Sequence, residues 1–168
     1  MTVRRILIYP DPRLRQLAAP VAAFDEALQI LSADLKETLR DPKALGITAP
    51  HVGVPLQVVV IQLHGDDEAR VFVNPRVLSA SEEKAREVEG SVAMPGITET
   101  LERPAGIRVA YQDLQGGQHT EDAEGLLAVC HQHEIDQLAG ILLDRPAVAA
   151  QAGAAGEAVP EAVMRAAF

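Results

Sequence analysis

The chain has 168 residues, enough for one domain with a hydrophobic core, and its content of 48% apolar and 23% charged residues is typical of globular proteins. Its net charge of −9 opposes binding to nucleic acid, and three Phe, two Tyr and no Trp leave few side chains on which bases could stack. The single cysteine, Cys130, excludes an intramolecular disulfide and a cysteine-rich zinc site. No apolar run approaches the roughly 20 residues of a membrane span, and the first residues lack a signal-peptide pattern. We therefore expect a cytoplasmic protein that binds neither nucleic acid nor membranes.

The first half of the chain predicts one helix and two or three strands. Residues 6–9 favour a short strand or an extended arm. Residues 24–40 predict a helix with acidic residues at its start and basic residues near its end. The small residues of segment 44–53 favour a loop. Residues 56–63 predict a continuous apolar strand, and residues 70–78 a second strand that is broken by its proline.

The second half predicts further strands and a second helix. Residues 84–89 are polar and favour either a strand or an exposed loop. Residues 107–113 alternate between apolar and polar, which predicts a half-buried strand, and the Gly-Gly pair after it favours a hairpin turn. Residues 126–140 predict an amphipathic helix that Gly140 ends. We therefore expect an α+β fold with short, mostly antiparallel strands around this C-terminal helix and another helix near the N-terminus.

The C-terminal helix contains the sequence HEIDQ at residues 133–137. It would be the H-E-x-x-H motif if position 137 were histidine, because that motif places two metal-binding imidazoles on one helix face and a general base between them. His133 is therefore a candidate ligand and Glu134 a candidate base. Of the neighbouring side chains, we expect Cys130 in the core and His131 on the surface.

Three segments resemble, in the same order, the motifs of the peptide deformylase family, metal-dependent hydrolases that remove the formyl group from N-formylmethionyl peptides. Residues 44–51, A-L-G-I-T-A-P-H, are similar to the family's G-x-G-[IL]-A-A-P-Q. Residues 89–93, E-G-S-V-A, are similar to E-G-C-L-S, and residues 132–137, Q-H-E-I-D-Q, are similar to Q-H-E-x-D-H. With flanking elements, the similarity extends over about residues 4–146.

The resemblance implies a site and its residue roles. In that family the metal, usually ferrous iron and often zinc or nickel, is held by the cysteine of the second motif and both histidines of the third. The matching metal positions here are Ser91, His133 and Gln137. Glu134 matches the carboxylate that transfers protons, His51 replaces the glutamine that polarises the formyl oxygen, and Val92 can still offer its backbone N–H to that oxygen. The resemblance also implies an ion pair between Glu89 and Arg103, and a pocket lined by Gly46, Ile47, Leu126 and Val129.

Two of the three ligand positions depart from the family, because a hydroxyl replaces a thiolate and an amide replaces an imidazole. A catalytic metal site needs about three strong protein ligands. We therefore expect no cofactor, or Fe²⁺, Zn²⁺ or Ni²⁺ if a metal is retained. The leading hypothesis is a diverged or inactive deformylase-like protein that binds a peptide or small molecule in the old cleft.

Three alternatives concern the same side chains. His51, His133 and Glu134 could form a 2-His-1-carboxylate metal set that retains deformylase activity. Alternatively, His51 only hydrogen-bonds Gln137 or Glu134 in an inactive pocket. A third alternative is a metal-free hydrolase in which Ser91 and His133 form a nucleophilic pair, with the Val92 N–H as oxyanion donor.

The domain is expected to cover residues 1–146, followed by an Ala-rich tail over 147–168 with a short helix near its end. Family members that dock on the ribosome use a basic C-terminal extension. This tail carries Arg165 against Glu157 and Glu161, so we do not expect ribosome docking by that route.

Overall fold

The computed structural model describes residues 1–40 and 44–144, and it has the expected α+β fold. The strands are β1 Gly46–Thr48, β2 Val58–Ile61, β3 Arg70–Ala80, β4 Lys84–Gly90, β5 Thr98–Pro104, β6 Gly106–Gln112 and β7 Gln118–Glu124. The larger sheet has five antiparallel strands in the order β1-β2-β3-β6-β7, and β4 and β5 form a separate two-stranded sheet. The helices are α1 Glu26–Thr38 and α2 Gly125–Leu138, with 3₁₀ helices at Pro12–Arg15 and Ala49–Val52. None of the helices in this part of the chain is long and apolar enough to cross a membrane.

Helix α1 packs on the large sheet through the leucine stripe that the sequence predicts. Its N-cap is Asp25, whose carboxylate accepts a hydrogen bond from the Leu28 amide at 3.2 Å. The stripe residues Leu28, Leu31, Leu35 and Leu39 are all buried in one cluster with strand β2. The predicted helix over 24–40 is therefore confirmed, with its ends two residues shorter on each side.

Helix α2 ends where the sequence predicts, because Gly140 has a left-handed φ of 71°. A Cβ at this position would also collide with the carbonyl oxygen of Arg15. The backbone of Ala18 donates to the carbonyl of Leu138 at 2.8 Å, so the end of α2 is held against the N-terminal segment. This contact fixes the position of the helix that carries the HEIDQ sequence.

Three local predictions differ from the structure. Segment 44–53 is not a loop throughout, because β1 pairs with β2 and is followed by the 3₁₀ helix. The proline in β3 does not break that strand, since a bulge at Asn74, with a φ of 51°, absorbs it. Strand β5 was not predicted. Of the two alternatives for segment 84–89, the structure has the strand, which pairs with β5.

Residues 6–9 form an extended arm outside both sheets. The arm donates from Leu7 to the carbonyl of His51 at 2.7 Å and from Tyr9 to the carbonyl of Ala93 at 2.8 Å. It thus ties together two of the loops that carry candidate site residues. The predicted tail helix and the domain end at residue 146 lie outside the described residues.

Candidate functional site

A cleft of about 690 Å³ lies between β1, the segment 88–98 and helix α2. Among the residues that line it are all of the predicted pocket residues, Gly46, Ile47, Leu126 and Val129, and most of the predicted functional positions, His51, Ser91, Val92, His133 and Glu134. Gln137, in contrast, is not part of the lining, and it is only 2% exposed. The three motifs therefore meet in one place, as the resemblance implies.

His133 is held by a buried charge network. Its Nδ1 lies 2.8 Å from Glu89 Oε2, and Glu89 also accepts from Arg103 Nε at 2.5 Å and Nη2 at 3.0 Å. Arg103 Nη1 in turn donates to Asp136 Oδ2 at 2.8 Å. Burial works to lower the pKa of His133, but its bond to Glu89 and the charge of Glu134 outweigh this and raise it. The network fixes the imidazole ring of His133 through Nδ1, and Nε2 takes no part in it.

The ion pair that the family resemblance implies between Glu89 and Arg103 is therefore present, and its two side chains are 4% and 8% exposed. Burial works to raise the pKa of Glu89, whereas its bonds to His133 and Arg103 lower it, and the net shift is downward. Sequence reasoning did not identify Asp136 as part of this network. The sequence feature that could have identified it is its position on α2, one turn after His133.

Glu134 lies at the floor of the cleft, where its side chain packs against Gly46. A Cβ at that glycine would collide with Glu134 Oε1, so strand β1 can pass the carboxyl group only without a side chain. Glu134 is 4% exposed, and its Oε2 has no hydrogen-bond partner. Burial raises the pKa of this carboxyl group to about 7, against the opposing charge of His133. The carboxyl group is thus poised to exchange a proton near neutral pH.

His51 occupies the 3₁₀ helix after β1, with its ring buried. The Thr48 backbone N–H donates to His51 Nδ1 at 3.0 Å, and Thr48 Oγ1 lies at the same distance from that nitrogen. Its Nε2 is buried beside the Gln137 side chain without a well-formed hydrogen bond. Burial and the nearby charge of His133 lower the pKa of His51 to about 3, although the adjacent Gln137 amide opposes this, so the ring is neutral.

Ser91 and Gln137 make hydrogen bonds that are directed elsewhere. Ser91 Oγ accepts from the Ala93 N–H at 3.2 Å, within its own turn. Gln137 Nε2 donates to the carbonyl oxygen of Leu14 at 3.3 Å, which links α2 to the first 3₁₀ helix. The described residues show no hydrogen bond between Ser91 and His133, so the nucleophilic pair of the third alternative is not formed in this conformation.

The donor atoms at the three expected metal positions are one imidazole, one hydroxyl and one amide. Across residues 1–40 and 44–144, no group of three or more His, Cys, Asp or Glu side chains is arranged to hold a metal ion. The chemistry of this donor set does not fit the three strong ligands of a catalytic metal site.

Two neighbouring side chains on α2 test the remaining sequence predictions. Cys130 is a buried core thiol, as expected, and burial raises its pKa to about 12. The prediction that His131 lies on the surface is wrong. Its ring is fully buried, with Nε2 at 3.0 Å from Glu121 and its centroid 4.5 Å from that of Phe72. Helix α2 packs against several strands, so it has less exposed surface than a simple amphipathic pattern predicts.

Comparison with known proteins gives the same assignment as the three motifs. The family model of polypeptide deformylase matches residues 3–150. The chain belongs to the polypeptide deformylase family.

The relatives of this family member carry two kinds of name. A "peptide deformylase-like" protein of Brucella melitensis is 55% identical over 141 residues, which are 84% of this chain and 86% of that protein. A "peptide deformylase" of Novosphingobium aromaticivorans is 43% identical over 164 residues. The match covers 84% of this chain and 87% of that protein. Among solved structures, the peptide deformylase of Legionella pneumophila is 37% identical with a TM-score of 0.81, and the match covers 98% of this chain and 91% of that one. The peptide deformylase of Thermotoga maritima is 33% identical with a TM-score of 0.82, and the match covers 88% of this chain and 99% of that one.

Proposed function

We propose that this chain is a diverged deformylase-fold protein that binds a peptide or small molecule in its cleft and does not carry out metal-dependent deformylation at the rates of active family members. The observation that carries the proposal is the donor set, in which His133 alone offers a strong ligand among the three metal positions. Ser91 and Gln137 offer a neutral hydroxyl and a neutral amide. The deformylase-like name of the Brucella melitensis relative agrees with divergence.

The expected loss of metal affinity is large. Changing even a partner that only supports a ligand costs about 10–100-fold in metal affinity or activity. Replacing two ligands costs more than that. Without a metal, nothing lowers the pKa of a water molecule toward about 7, so Glu134 would face a poor nucleophile.

His51 does not restore the set. Its Nδ1 already accepts the Thr48 N–H, so the neutral ring carries its proton on Nε2, which then has no lone pair for a metal. Using Nε2 as a ligand would require the other tautomer and the loss of the Thr48 bond. A 2-His-1-carboxylate set is therefore disfavoured, and it would also remove Glu134 from proton transfer.

The proposal is tested by elemental analysis and by a formate-release assay with N-formylmethionyl peptides, run in parallel with the peptide deformylase of Legionella pneumophila. We expect substoichiometric Fe, Zn and Ni, and a rate at least about 100-fold below that of the relative. Near-stoichiometric metal with a comparable rate would show that the chain is a deformylase with an altered metal site.

A reciprocal variant tests the assignment of the ligand positions. The double substitution Ser91→Cys with Gln137→His should restore metal binding, because it returns a thiolate and a second imidazole to the site. The single Ser91→Cys variant is the control, since it adds a thiol without completing three ligands. A double variant that binds no more metal than the single one would contradict the assignment.

A second candidate function is a metal-free hydrolase that uses Ser91 and His133. It is favoured by one contact, the 2.8 Å distance between His133 Nδ1 and Glu89, because a carboxylate on Nδ1 orients the ring of a histidine base. Turning Ser91 Oγ toward His133 would require breaking its bond to the Ala93 N–H. A serine-reactive phosphonate should then label wild type but not Ser91→Ala, and absence of labelling would exclude this function.

The cleft is the surface through which we propose that the chain meets its ligand. Three large apolar residues at its mouth, Val88, Ile97 and Leu126, are 69%, 40% and 47% exposed. Exposed apolar groups around a concave site favour an apolar ligand. Because the tail over 147–168 is not basic, we do not propose ribosome docking through it.

A further inference from the structure

A second cavity, of about 420 Å³, lies between the N-terminal segment 17–20 and strands β3 and β6. None of the residues that line it also lines the cleft. Its volume lies within the range of small-molecule sites, about 300–1,000 Å³. The cavity is therefore large enough to hold a ligand of its own.

Strand β3 has a bulge at this cavity, where two of its residues lie opposite one residue of β6. The first of the two, Asn74, has a φ of 51°, a conformation that persists only where surrounding contacts hold it. Bulges redirect the side chains of a strand. Pro75 and Arg76, which follow Asn74, both line the cavity.

The side chain of Asn74 joins two walls of the cavity. Its Oδ1 accepts from the Val21 N–H at 2.8 Å, and its Nδ2 donates to the Val21 carbonyl at 3.0 Å and to Gln112 Oε1 at 2.7 Å. Gln57 Nε2 donates to the carbonyl of Ala18 at 3.2 Å. These bonds hold the amide side chains of the lining in place, so a ligand would meet a preformed surface.

Arg76 is the charged side chain of the lining, and it is exposed. The other arginines of β3 and β6, Arg70 and Arg108, pair with Glu121 and Asp122. Within residues 1–40 and 44–144, Arg76 forms no such pair. The net charge of −9 opposes the binding of anions in general, so an unpaired arginine is where a carboxylate can be held. A guanidinium group binds a carboxylate through two parallel hydrogen bonds.

The other walls of the cavity are partly apolar. Leu17 is 48% exposed and Pro20 is also exposed, whereas Pro75 and Ala110 are buried. An apolar group that covers Leu17 and Pro20 would remove their surface from water. A ligand that carries both a carboxylate and an apolar group would therefore be favoured over one that carries only one of them.

We propose that this cavity binds a small apolar acid, whose carboxylate pairs with Arg76 and whose apolar part packs against Leu17, Pro20 and Ala110. The inference goes beyond the proposed function, because it concerns a different cavity and does not depend on what the cleft binds. A free carboxylic acid and the C-terminal residue of a peptide share this chemistry.

Two matched pairs of compounds test the carboxylate. Hexanoate is compared with hexanamide, and N-acetyl-leucine with N-acetyl-leucinamide, by NMR titration of the ¹⁵N-labelled full chain. The dissociation constants are taken from the backbone N–H signals of Gln57, Ala110 and Gln112, which line this cavity, so that binding in the cleft is measured separately. We expect the acid of at least one pair to bind about fivefold or more tightly than its amide, and that pair identifies the source. Equal binding of acid and amide in both pairs, or signal shifts confined to the cleft, would overturn the proposal.

Three variants assign the preference to Arg76. Arg76→Leu should abolish it, whereas Arg76→Lys keeps the charge without the planar fork and should retain part of it. Arg108→Leu is the matched control, because Arg108 is also exposed but is paired with Asp122 and does not line the cavity. A preference for acids that persists in Arg76→Leu, or that Arg108→Leu abolishes as well, would refute the role of Arg76.

The apolar contact has its own variant. Leu17→Ser should weaken the binding of an acid and of its amide by the same factor, because it removes apolar surface and leaves Arg76 in place. An unchanged affinity for both compounds would exclude the contact with Leu17. None of these measurements depends on turnover, so formate release from formyl peptides would refute the proposed function and leave this inference standing.

Discussion

The buried network around Arg103 makes a quantitative prediction about stability. Arg103 binds Glu89 through two nitrogens and Asp136 through a third, and its side chain is 8% exposed. Arg103→Leu would leave the buried Glu89 with His133 as its remaining partner and the partly buried Asp136 without a cation. Breaking a buried ion pair by removing one partner costs about 3–5 kcal/mol. For a domain of this size, that corresponds to a fall in melting temperature of about 6–20 °C.

The measurement is urea-induced unfolding of the variant beside Arg108→Leu. Arg108 lies 3.4 Å from Asp122, but the two side chains are 54% and 72% exposed, so its removal should cost at most about 1 kcal/mol. A second variant combines Arg103→Leu with Glu89→Gln, and it should recover part of the loss because one unpaired charge is gone. If Arg103→Leu costs no more than the control, the network does not stabilise the fold as argued.

The same network predicts a pH dependence. The folded-state pKa of Glu89 lies below its ordinary value of 4.5, so its contribution to stability is present above that value. The contribution is lost as the pH falls from 4.5 through the lowered value. In Arg103→Leu the lowering is smaller, so the free energy of unfolding should depend less on pH in this acidic window. Equal acid dependence in variant and wild type would contradict this assignment.

The remaining predictions concern two glycines, each with a matched glycine as control. Gly46→Ala should displace Glu134 and cost about 1–3 kcal/mol of unfolding free energy through overpacking, whereas Gly90→Ala, whose Cβ would meet its first neighbour only at 3.9 Å, should cost less. Equal losses in urea unfolding would show that the carboxyl group is not held against β1. Gly140→Ala should cost more than Gly96→Ala, because both have a positive φ but only the first Cβ meets backbone. Thermal unfolding measures the difference, and equal melting temperatures would argue against the collision.

The sequence predicts α1 well, whereas β5 could not be identified from it. The leucines of α1 repeat at helical spacing, so the local pattern and the final packing agree. Strand β5 is largely exposed and rich in charged residues, so no apolar period marks it, and it exists because β4 pairs with it over seven residues. The prediction of a loop over segment 44–53 was wrong for the same reason, because β1 depends on pairing with β2. A local sequence pattern does not specify which distant segment will pair with it.

The candidate site, too, could be predicted only in part from the sequence. The motifs predict which residues meet, and His51, Ser91, His133 and Glu134 do line one cleft. The motifs do not predict the hydrogen bonds that set the protonation and orientation of each of these side chains. The bond from Glu89 to His133 joins residues 44 positions apart, and the burial of His131 depends on strands packed against α2. Such contacts require the tertiary arrangement.

The hydrogen bonds at the cleft show which of its side chains already have a partner in the protein. Ser91 and Gln137, the two replaced ligands, each have a partner in the protein, the Ala93 amide and the Leu14 carbonyl. The buried side-chain atoms that line the cleft without a partner are instead on His51 and Glu134. At the third ligand position, His133 is bonded to Glu89 through Nδ1, and its Nε2 takes no part in that bond. A ligand in the cleft would therefore bond to His51, His133 or Glu134 rather than to either replaced position.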